Sequence, residues 1–376
     1  MRRTFSAGIV LSFVLSLLCG CALRSYQDRQ SAPSLSAPPS TELERAADAV
    51  QRLQQWYTPT TGLYQTTGWW NSANILTALA DYERASGSRG YTAIFANTFV
   101  EAQKTYPEFL NNYYDDEGWW ALAWIDVYDL TRDPRYLMMA KSIFADMDQA
   151  WDGKCGGGIW WSKDRKYKNA IANELFLSVA AHLANRTKGA ERKRYLSWGY
   201  REWRWFVSTG MINSNNLIND GLAEGSSEGT RGDCVNNQRT VWSYNQGVVL
   251  GGLAELSIAR HDPSLLVAAQ GIAMAAITEL VDSKGVLHDP CEPKCGADGV
   301  QFKGIFIRNL VLLDQRQPQT VYRSFVNANA DSIWNHARGP GLQLGQSWAG
   351  PFFPGNAATQ SSALDALVGA LSLRPG

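Results

Sequence analysis

Residues 113–124 have the sequence YYDDEGWWALAW, and the second half of this stretch decides the fold. From Trp119 to Trp124 a helix would be apolar on most of its circumference, which is typical of a helix buried on all sides. Residues 248–253, with the sequence VVLGGL, show the same pattern, and their glycines permit close helix packing. Other helical segments carry charge on one side, as in ERKR at residues 191–194. Buried and half-exposed helices therefore alternate along the chain.

Apolar residues recur at the three- and four-residue spacing of a helix in twelve segments, which glycine, proline, asparagine and aspartate separate. Twelve helices that alternate between an outer and an inner layer predict an all-α fold, an (α/α)6 barrel of six helical hairpins in a circle. A superhelical solenoid is the alternative, but solenoids usually show a strict sequence repeat, which this chain lacks. The predicted segments are 41–57, 69–86, 91–105, 117–130, 134–151, 169–186, 190–208, 242–260, 263–281, 302–315, 319–337 and 358–372.

The inner segments begin with polar and aromatic residues side by side. Examples are WWNSAN at 69–74, NAIANE at 169–174 and WSYNQG at 242–247. If the inner helices run parallel around the ring, these starts meet at one end of the barrel and line a cleft. Capping of each helix would explain the asparagines and serines but not the recurring aromatic residues. Residues 210–241 interrupt the helical pattern, and we expect a long loop or hairpin over the same end.

Asp115 and Asp116 lie where the second inner segment begins, between two tyrosines and two tryptophans. Cleavage of a glycosidic bond needs a pair of carboxyl groups, and aromatic rings offer flat apolar faces to pyranose rings. The same carboxylates are also ordinary N-cap and first-turn residues of a helix. The pattern favours a carbohydrate-cleaving site and leaves helix capping as the alternative.

The overall composition excludes some classes of partner. The formal net charge is zero and no block of basic residues stands out, which argues against nucleic acid and acidic polymers. The 15 tryptophans and 15 tyrosines suit a carbohydrate groove, and they also suit a large helical core. Because no second linker is visible, we expect one catalytic domain over residues 41–376, monomeric and without a cofactor or metal.

Four cysteines beyond the first forty residues fit an oxidising compartment and allow three pairings. Cys291 and Cys295 are close enough in sequence to close a small loop, which leaves Cys155 to pair with Cys234. A zinc site is the alternative. It is disfavoured because no Cys-x-x-Cys motif occurs and the four histidines are scattered.

The first residues resemble an export signal. Two arginines precede an apolar stretch from about residue 7 to 18, which is too short to span a membrane stably. The sequence LCGC at 18–21 resembles a bacterial lipobox with Cys21 as the lipidated residue, and plain secretion with cleavage nearby is the alternative. We therefore expect a signal over residues 1–21, a flexible tether over 22–40, and a protein that is exported and either membrane-anchored or secreted.

Several motifs together resemble glycoside hydrolase family 76, which contains endo-α-1,6-mannanases and related fungal cell-wall transglycosidases. The likeness extends from about residue 45 to 372 and implies an (α/α)6 barrel, a retaining mechanism and α-1,6-mannan as substrate. It also implies Asp115 as the nucleophile and Asp116 as the acid/base. The motifs are DDEGWW at 115–120, CGGGIWW at 155–161, YNQG at 244–247 and FKG at 302–304.

Other residues of these motifs and helix starts are candidates for contacts with the sugar. Trp160 and Trp161 could stack on pyranose rings or pack in the core. Asp220 could bind sugar hydroxyls or cap an Asp-Gly turn, and Lys303 could meet a sugar or pair with an aspartate. The candidate substrate-binding residues are Asn71, Asn74, Trp119, Trp160, Trp161, Asp220, Tyr244, Asn245, Gln246, Phe302 and Lys303.

Four functions compete on this sequence. The first is a retaining endo-α-1,6-mannanase, and the second is a transglycosidase that uses the same residues with a sugar as acceptor. The third is an inactive surface lipoprotein that binds glycans, which would be expected to lose one of the two aspartates. The fourth is a polysaccharide lyase, which the neutral charge and scattered histidines disfavour.

Overall fold

The computed structural model of the chain describes residues 41–223 and 234–374. Within these residues it contains twelve α-helices, each of which corresponds to one predicted segment, and one short antiparallel hairpin of strands β1 (Tyr57–Thr58) and β2 (Leu63–Tyr64). The helices are α1 (Glu42–Gln54), α2 (Trp69–Ser86), α3 (Thr92–Glu101), α4 (Tyr114–Thr131), α5 (Pro134–Met147), α6 (Ala170–Arg186), α7 (Gly189–Ser208), α8 (Ser243–Arg260), α9 (Ser264–Glu279), α10 (Phe302–Arg316), α11 (Thr320–His336) and α12 (Ala357–Ser372).

The six even-numbered helices form a closed inner ring. Helix α2 packs against α4, α4 against α6, α6 against α8, α8 against α10 and α10 against α12, and α12 returns to α2. The odd-numbered helices lie outside this ring, with α5 against α4, α7 against α6 and α9 against α8. The predicted (α/α)6 barrel is therefore confirmed.

The inner helices are buried on all sides, as their apolar composition predicts. Every residue of α6 from Ala170 to Ala184 is buried. Small residues permit the ring to close: a Cβ on Gly247 would lie 2.6 Å from the Cα of Phe306, and one on Gly304 would lie 2.5 Å from the carbonyl oxygen of Ser362. Any side chain at these two glycines would push α8, α10 and α12 apart.

The inner helices run parallel, so their amino-terminal ends gather at one end of the barrel. Trp70 of α2, Asp116 of α4, Tyr244 of α8 and Phe302 of α10 all line one cleft there. The carboxyl-terminal halves of all six inner helices line a second cavity, at the opposite end. The expectation that the polar and aromatic helix starts converge is confirmed.

Two disulfides tie loops together, and both match the predicted pairs. Cys155 bonds to Cys234 with an S–S distance of 2.03 Å, and Cys291 bonds to Cys295. The first bond joins the glycine-rich loop before α6 to the segment that precedes α8. The described parts of that segment form only isolated β-bridges, such as the one between Leu222 and Asn236.

Helix α4 begins at Tyr114, three residues before its predicted start at residue 117. The backbone N–H of Tyr114 donates to the carbonyl oxygen of Trp161 at 2.9 Å, so a neighbouring loop satisfies one of the free N–H groups of the first turn. Residues 114–117 are polar and carry no helical periodicity of their own. Asp115 and Asp116 therefore lie in the first turn of α4 and not in front of it.

Among residues 41–223 and 234–374, no helix combines the length and apolar character needed to cross a lipid bilayer. Cys21 and the predicted signal and tether lie outside the described residues. Lipidation of Cys21, the signal and the tether remain predictions.

Candidate active site

Asp115 and Asp116 are placed by the entry of the chain into α4. Tyr113, with φ −120° and ψ 121°, is the extended residue before the helix, and it forms a β-bridge with Ser162. The two carboxylates, followed by Glu117, then occupy the first turn. The partial positive charge of a helix amino terminus stabilises negative side chains at this position.

A cleft of about 520 Å³ surrounds the two aspartates at the amino-terminal end of the barrel. Carboxyl groups, aromatic rings and an amide line it, which is the mixture that a neutral sugar chain requires. The lining residues are Trp70, Tyr113, Asp115, Asp116, Trp119, Trp161, Tyr167, Asn169, Asp220, Tyr244, Asp298 and Phe302.

Each aspartate of the pair accepts one hydrogen bond from a neutral donor. Oδ2 of Asp115 accepts from Nε1 of Trp161 at 2.9 Å, while Oδ1 of Asp115 is buried and has no hydrogen-bond partner among the described residues. Oδ2 of Asp116 accepts from Nδ2 of Asn111 at 2.6 Å. One oxygen of each carboxyl is thus held by a hydrogen bond, from Trp161 for Asp115 and from Asn111 for Asp116.

Burial shifts the pKa of both carboxyls upward. It raises the pKa of Asp115 well above its usual range, and the negative charge of Asp116 adds to this effect. Burial also raises the pKa of Asp116 to about 6, although the hydrogen bond from Asn111 opposes the rise, and Asp298 adds to it. Adjacent carboxyls that disfavour each other's ionisation retain a proton at a pH where isolated ones are both charged. The pair can therefore supply both an acid and a base.

Stacked aromatic rings form one wall of the cleft. The rings of Tyr244 and Phe302 lie 3.7 Å apart at their centroids and are nearly parallel, with an interplanar angle of 12°. Trp119 stacks on Tyr244 at 6.4 Å and on Trp70 at 5.7 Å. At the rim, Trp161 lies 5.1 Å from Tyr113, and both side chains are more than a third exposed. These rings offer apolar faces on two sides of the aspartates.

Asp220 is a third carboxylate of the cleft, and two donors fix its side chain. Its Oδ2 accepts from the hydroxyl of Tyr167 at 2.5 Å, and its Oδ1 accepts from Nε1 of Trp242 at 3.2 Å. Nδ2 of Asn237 donates to the same tyrosine hydroxyl at 2.9 Å. Asp220 is therefore held in the lining of the cleft by Tyr167, from the loop before α6, and by Trp242, at the start of α8.

Two predicted sugar-binding residues lie outside the cleft lining. Nε1 of Trp160 donates to Oδ2 of Asp152 at 2.7 Å, and Nζ of Lys168 lies 4.8 Å from the centre of its ring. Lys303 is buried, and its Nζ lies 2.6 Å from Oε1 of Glu292. Trp160 is engaged in a hydrogen bond and Lys303 in an ion pair, and the partner of Lys303 is a glutamate, whereas the sequence suggests a sugar or an aspartate.

Asn71 and Asn74 also support the barrel from inside. Oδ1 of Asn71 caps the start of α2 by accepting from the N–H of Gly68 at 2.9 Å, and its Nδ2 donates to Oε1 of Gln301 at 2.8 Å. Asn74 accepts a hydrogen bond from the guanidinium of Arg308. Neither asparagine lines the cleft.

Gln246 and Asn245 are likewise buried beneath the cleft. Gln246 accepts from the N–H of Ile218 at 2.8 Å and donates to its carbonyl oxygen at 2.9 Å, which joins α8 to the loop before it. Both polar side-chain atoms of Asn245 lack a hydrogen-bond partner among the described residues. Of the residues in the YNQG motif, only Tyr244 reaches the cleft lining.

The sequence prediction missed several residues of the site. Trp70, Tyr113 and Asn169 stand in the quoted helix starts but were not singled out. Asp298 accepts from Nε1 of Trp70 at 2.9 Å, and Tyr167 holds Asp220. No local signal marks Asp298 or Tyr167, because both come from irregular loops that only the fold brings to the cleft.

In the part of the chain that the structure describes, His, Cys, Asp and Glu form no group of three or more that could hold a metal ion.

The sequence profile of glycosyl hydrolase family 76 matches residues 42–374. A mannan endo-1,6-α-mannosidase of Candida albicans is 26% identical over 346 residues, which cover 85% of this chain and 76% of that protein. A putative mannan endo-1,6-α-mannosidase of Schizosaccharomyces pombe is 25% identical over 277 residues, 68% of this chain and 61% of its own length.

Solved structures share the fold. An inactive variant of an α-1,6-mannanase from a Salegentibacter species, in complex with α-1,6-mannotetrose, has a TM-score of 0.80 at 21% identity and covers 89% of this chain and 100% of its own. Dfg5 from Chaetomium thermophilum, in complex with glucosamine, has a TM-score of 0.76 at 21% identity, with coverage of 88% and 90%. Because the family profile spans nearly all of the described barrel, the chain belongs to glycosyl hydrolase family 76.

Proposed function

We propose that the protein is a retaining endo-α-1,6-mannanase that uses Asp115 as nucleophile and Asp116 as acid/base. The observation that carries the proposal is the pair of adjacent aspartates with raised pKa values on the floor of an aromatic cleft. The curated relatives named above are mannan endo-1,6-α-mannosidases. In addition, the Salegentibacter mannanase variant that is inactive carries replacements at two consecutive aspartates.

In the proposed first step, the carboxylate of Asp115 attacks the anomeric carbon of a mannose unit while Asp116 donates its proton to the glycosidic oxygen. The bond to the leaving sugar breaks, and a covalent glycosyl-enzyme forms on Asp115. In the second step, Asp116 takes a proton from water, which attacks the same carbon and releases Asp115. Two inversions give net retention, and this route needs carboxyl groups about 5–5.5 Å apart on either side of the bond.

The assignment of the two roles follows the family pattern. Both pKa shifts point upward, so they support a shared proton but do not by themselves distinguish nucleophile from acid.

The test is digestion of linear α-1,6-mannan with NMR detection of the newly formed anomeric centre. We expect short α-configured oligosaccharides from the wild type, and a loss of roughly 10³-fold or more for Asp115→Asn and for Asp116→Asn. Asp164→Asn is a matched control, because Asp164 is exposed in the loop beyond Trp161. Products of β configuration, or wild-type rates in either aspartate variant, would contradict the mechanism.

The same digestion separates hydrolysis from transfer. If added mannose oligosaccharides lead to products longer than the substrate, the glycosyl-enzyme is intercepted by a sugar and the protein is a transglycosidase. If the wild type binds mannan tightly without cleaving it, the inactive glycan-binding alternative replaces the enzyme.

We also propose that the protein is exported, anchored through a lipid on Cys21, and monomeric. The two disulfides support an oxidising compartment. Replacement of Cys21 by serine should release the protein from the membrane fraction, and retention there would contradict the anchor. Light scattering should give the mass of a single chain.

A further inference from the structure

Asn111 lies three residues before the start of α4 and forms three hydrogen bonds, one with Tyr113 before the helix and two with its first turn. Its Nδ2 donates to Oδ2 of Asp116 at 2.6 Å. Its Oδ1 accepts from the backbone N–H of Tyr113 at 2.7 Å. Its own backbone N–H donates to Oε1 of Glu117 at 3.3 Å. Asn111 therefore connects the loop to the carboxyl that the proposed function makes the acid/base.

The hydrogen bonds fix which way the amide of Asn111 faces. A backbone N–H can only donate, so the side-chain atom of Asn111 that faces Tyr113 has to be the oxygen. The amide nitrogen then faces Asp116, and it can only donate as well. Consequently Oδ2 of Asp116 is the acceptor in this arrangement. A proton on Oδ2 would point at the N–H of the Asn111 amide, so that two donors would face each other.

Glu117, whose Oε1 accepts from the backbone N–H of Asn111, is itself held by an ion pair to the partly exposed Lys163. Nζ of Lys163 lies 2.9 Å from Oε1 of Glu117, whose side chain is fully buried, and 3.0 Å from Oδ2 of Asp146. The backbone N–H of Lys163 donates to the carbonyl oxygen of Asn112 at 2.9 Å. The loop before α4 is thus tied to the loop that carries Trp161, and Asn111 has little freedom to turn away.

We propose that Asn111 is a positioning residue for the acid/base, because its amide reserves Oδ2 of Asp116 as an acceptor and directs the transferable proton to Oδ1. The proposal rests on the proposed function, which makes Asp116 the proton donor. It assigns Asn111 no contact with the sugar, and Asn111 does not line the cleft.

The proposal predicts how Asn111 affects pH dependence. The groups around Asp116 are Asp115 on its own helix, Asp298 from the loop before α10, and Asn111, with Glu117 and its ion pair to Lys163 and Asp146 behind it. The Asn111 amide stabilises the ionised form of Asp116, whereas the carboxylates disfavour it. Loss of the amide therefore raises the pKa of Asp116. Since Asp116 has to be protonated for the first step, the alkaline limb of the activity profile moves to higher pH.

The test compares Asn111→Ala and Asn111→Asp with the matched control Asn112→Ala, whose side chain is exposed. On α-1,6-mannan we expect kcat to fall about tenfold or more in both Asn111 variants, with KM nearly unchanged. We expect the alkaline limb of the kcat/KM profile to move to higher pH by about one pH unit in Asn111→Ala. The displacement should be larger in Asn111→Asp, because this variant adds a negative charge beside Asp116. Asn112→Ala should resemble the wild type.

A second substrate separates positioning of the acid from general damage to the site. An α-1,6-linked mannobiosyl fluoride needs no proton on its leaving group, so the first-step burst of fluoride should stay within about twofold of wild type in both Asn111 variants. An equal loss on mannan and on the fluoride, or an unchanged pH profile, would overturn the proposal.

NMR titration of the ¹³C-labelled aspartate carboxyls tests the proposal without activity. The signal assigned to Asp116 should titrate at higher pH in Asn111→Ala than in the wild type and in Asn112→Ala. If the wild type does not cleave mannan, the proposed function fails, whereas an unmoved titration of Asp116 defeats the role of Asn111 alone. Asn111→Asp keeps the shape of the side chain and serves if the alanine variant does not fold.

Discussion

The two ends of the barrel are both rich in aspartate, yet they treat it differently. At the cleft end, the hydrogen bonds to Asp115 and Asp116 come from the neutral donors Trp161 and Asn111. At the opposite end, a cavity of about 460 Å³ is lined by acids and by the guanidinium groups of several arginines. The acids there are paired with full positive charges.

Except for Arg84 with Asp81, which both lie in α2, the ion pairs of the second end join different inner helices. Their carboxylates are therefore neutralised by partners that also hold the ring together. The pairs are Arg84 with Asp81 and Asp126, Arg186 with Asp129 and Glu255, and Arg308 with Asp365.

Helix polarity explains why the two ends differ. Six parallel inner helices place partial positive charge at the cleft and partial negative charge at the other end. Carboxylates at the cleft are stabilised without arginines, whereas those at the far end need them. A raised pKa does not distinguish the ends, because burial also raises the pKa of Asp126 and of Asp365 to about 7. The type of partner is the better guide to which carboxyls can exchange protons with a substrate.

The strongest test of this contrast compares activity with stability at the cleft. Asp115→Asn and Asp116→Asn should lower mannan cleavage by roughly 10³-fold or more, as proposed above, yet leave the melting temperature unchanged or higher. The reason is that each change removes one of two neighbouring carboxyls whose ionisation is disfavoured in the folded chain. Thermal unfolding followed by circular dichroism measures the second effect. A melting temperature well below that of the wild type would show that the pair stabilises the fold.

The opposite result is expected when an arginine of the far end is removed. Arg186→Met removes the guanidinium that Asp129 and Glu255 share in a largely buried site and leaves Asp129 only the more distant Arg132, which should cost about 3 kcal/mol of unfolding free energy. Mannan cleavage by the folded variant should be unchanged. Urea unfolding gives the free energy, and Arg204→Met is the control because Arg204 is exposed. Equal losses in both variants would remove the contrast between the two ends.

At the cleft end, the adjacent residues Trp160 and Trp161 allow the same comparison between activity and stability, with smaller expected effects. Trp161→Phe keeps an aromatic ring but removes the donor to Asp115, so we expect kcat to fall about tenfold with little change in stability. Trp160→Phe removes the donor to Asp152, so it should leave activity intact and destabilise the fold by about 1.5 kcal/mol. Paired kinetic and unfolding measurements decide. Equal kinetic losses would place both indoles at the substrate.

The same pair shows what the sequence could and could not predict. Helix α2 has its predicted bounds because apolar periodicity is a local property. Because residues 160 and 161 are both tryptophan, residue type alone does not predict which of the two rings faces the cleft. That depends on the β-bridge between Ser162 and Tyr113, a contact between distant segments.

The polar residues of the site also fall into two groups, those that a local motif identifies and those that only the assembled fold brings to the site. Asp115 and Asp116 were found because they stand beside aromatic residues in one motif. Asn111 and Asp298 act on them from loops with no distinctive local sequence. Lys303 stands in the FKG motif and was considered for a sugar or an aspartate, whereas its burial against Glu292 is a property of the assembled barrel.

The smallest expected effect concerns the pH dependence of stability at the far end. The pKa of Asp365 is raised by burial to about 7 in the folded chain, against about 3.8 for an ordinary aspartate. A carboxyl whose pKa is higher in the folded than in the unfolded chain stabilises the fold while it is protonated. This contribution is complete below the ordinary pKa and is lost as the pH rises through 7. Asp365→Asn cannot ionise, so the fall in melting temperature between pH 5 and pH 8 should shrink by about 2 °C. Asp164→Asn, at an exposed site, should keep the wild-type slope. An unchanged fall in Asp365→Asn would mean that Arg308 stabilises the ionised carboxyl at least as much as burial disfavours it, because a carboxyl that is ionised in both states contributes no pH dependence between pH 5 and pH 8.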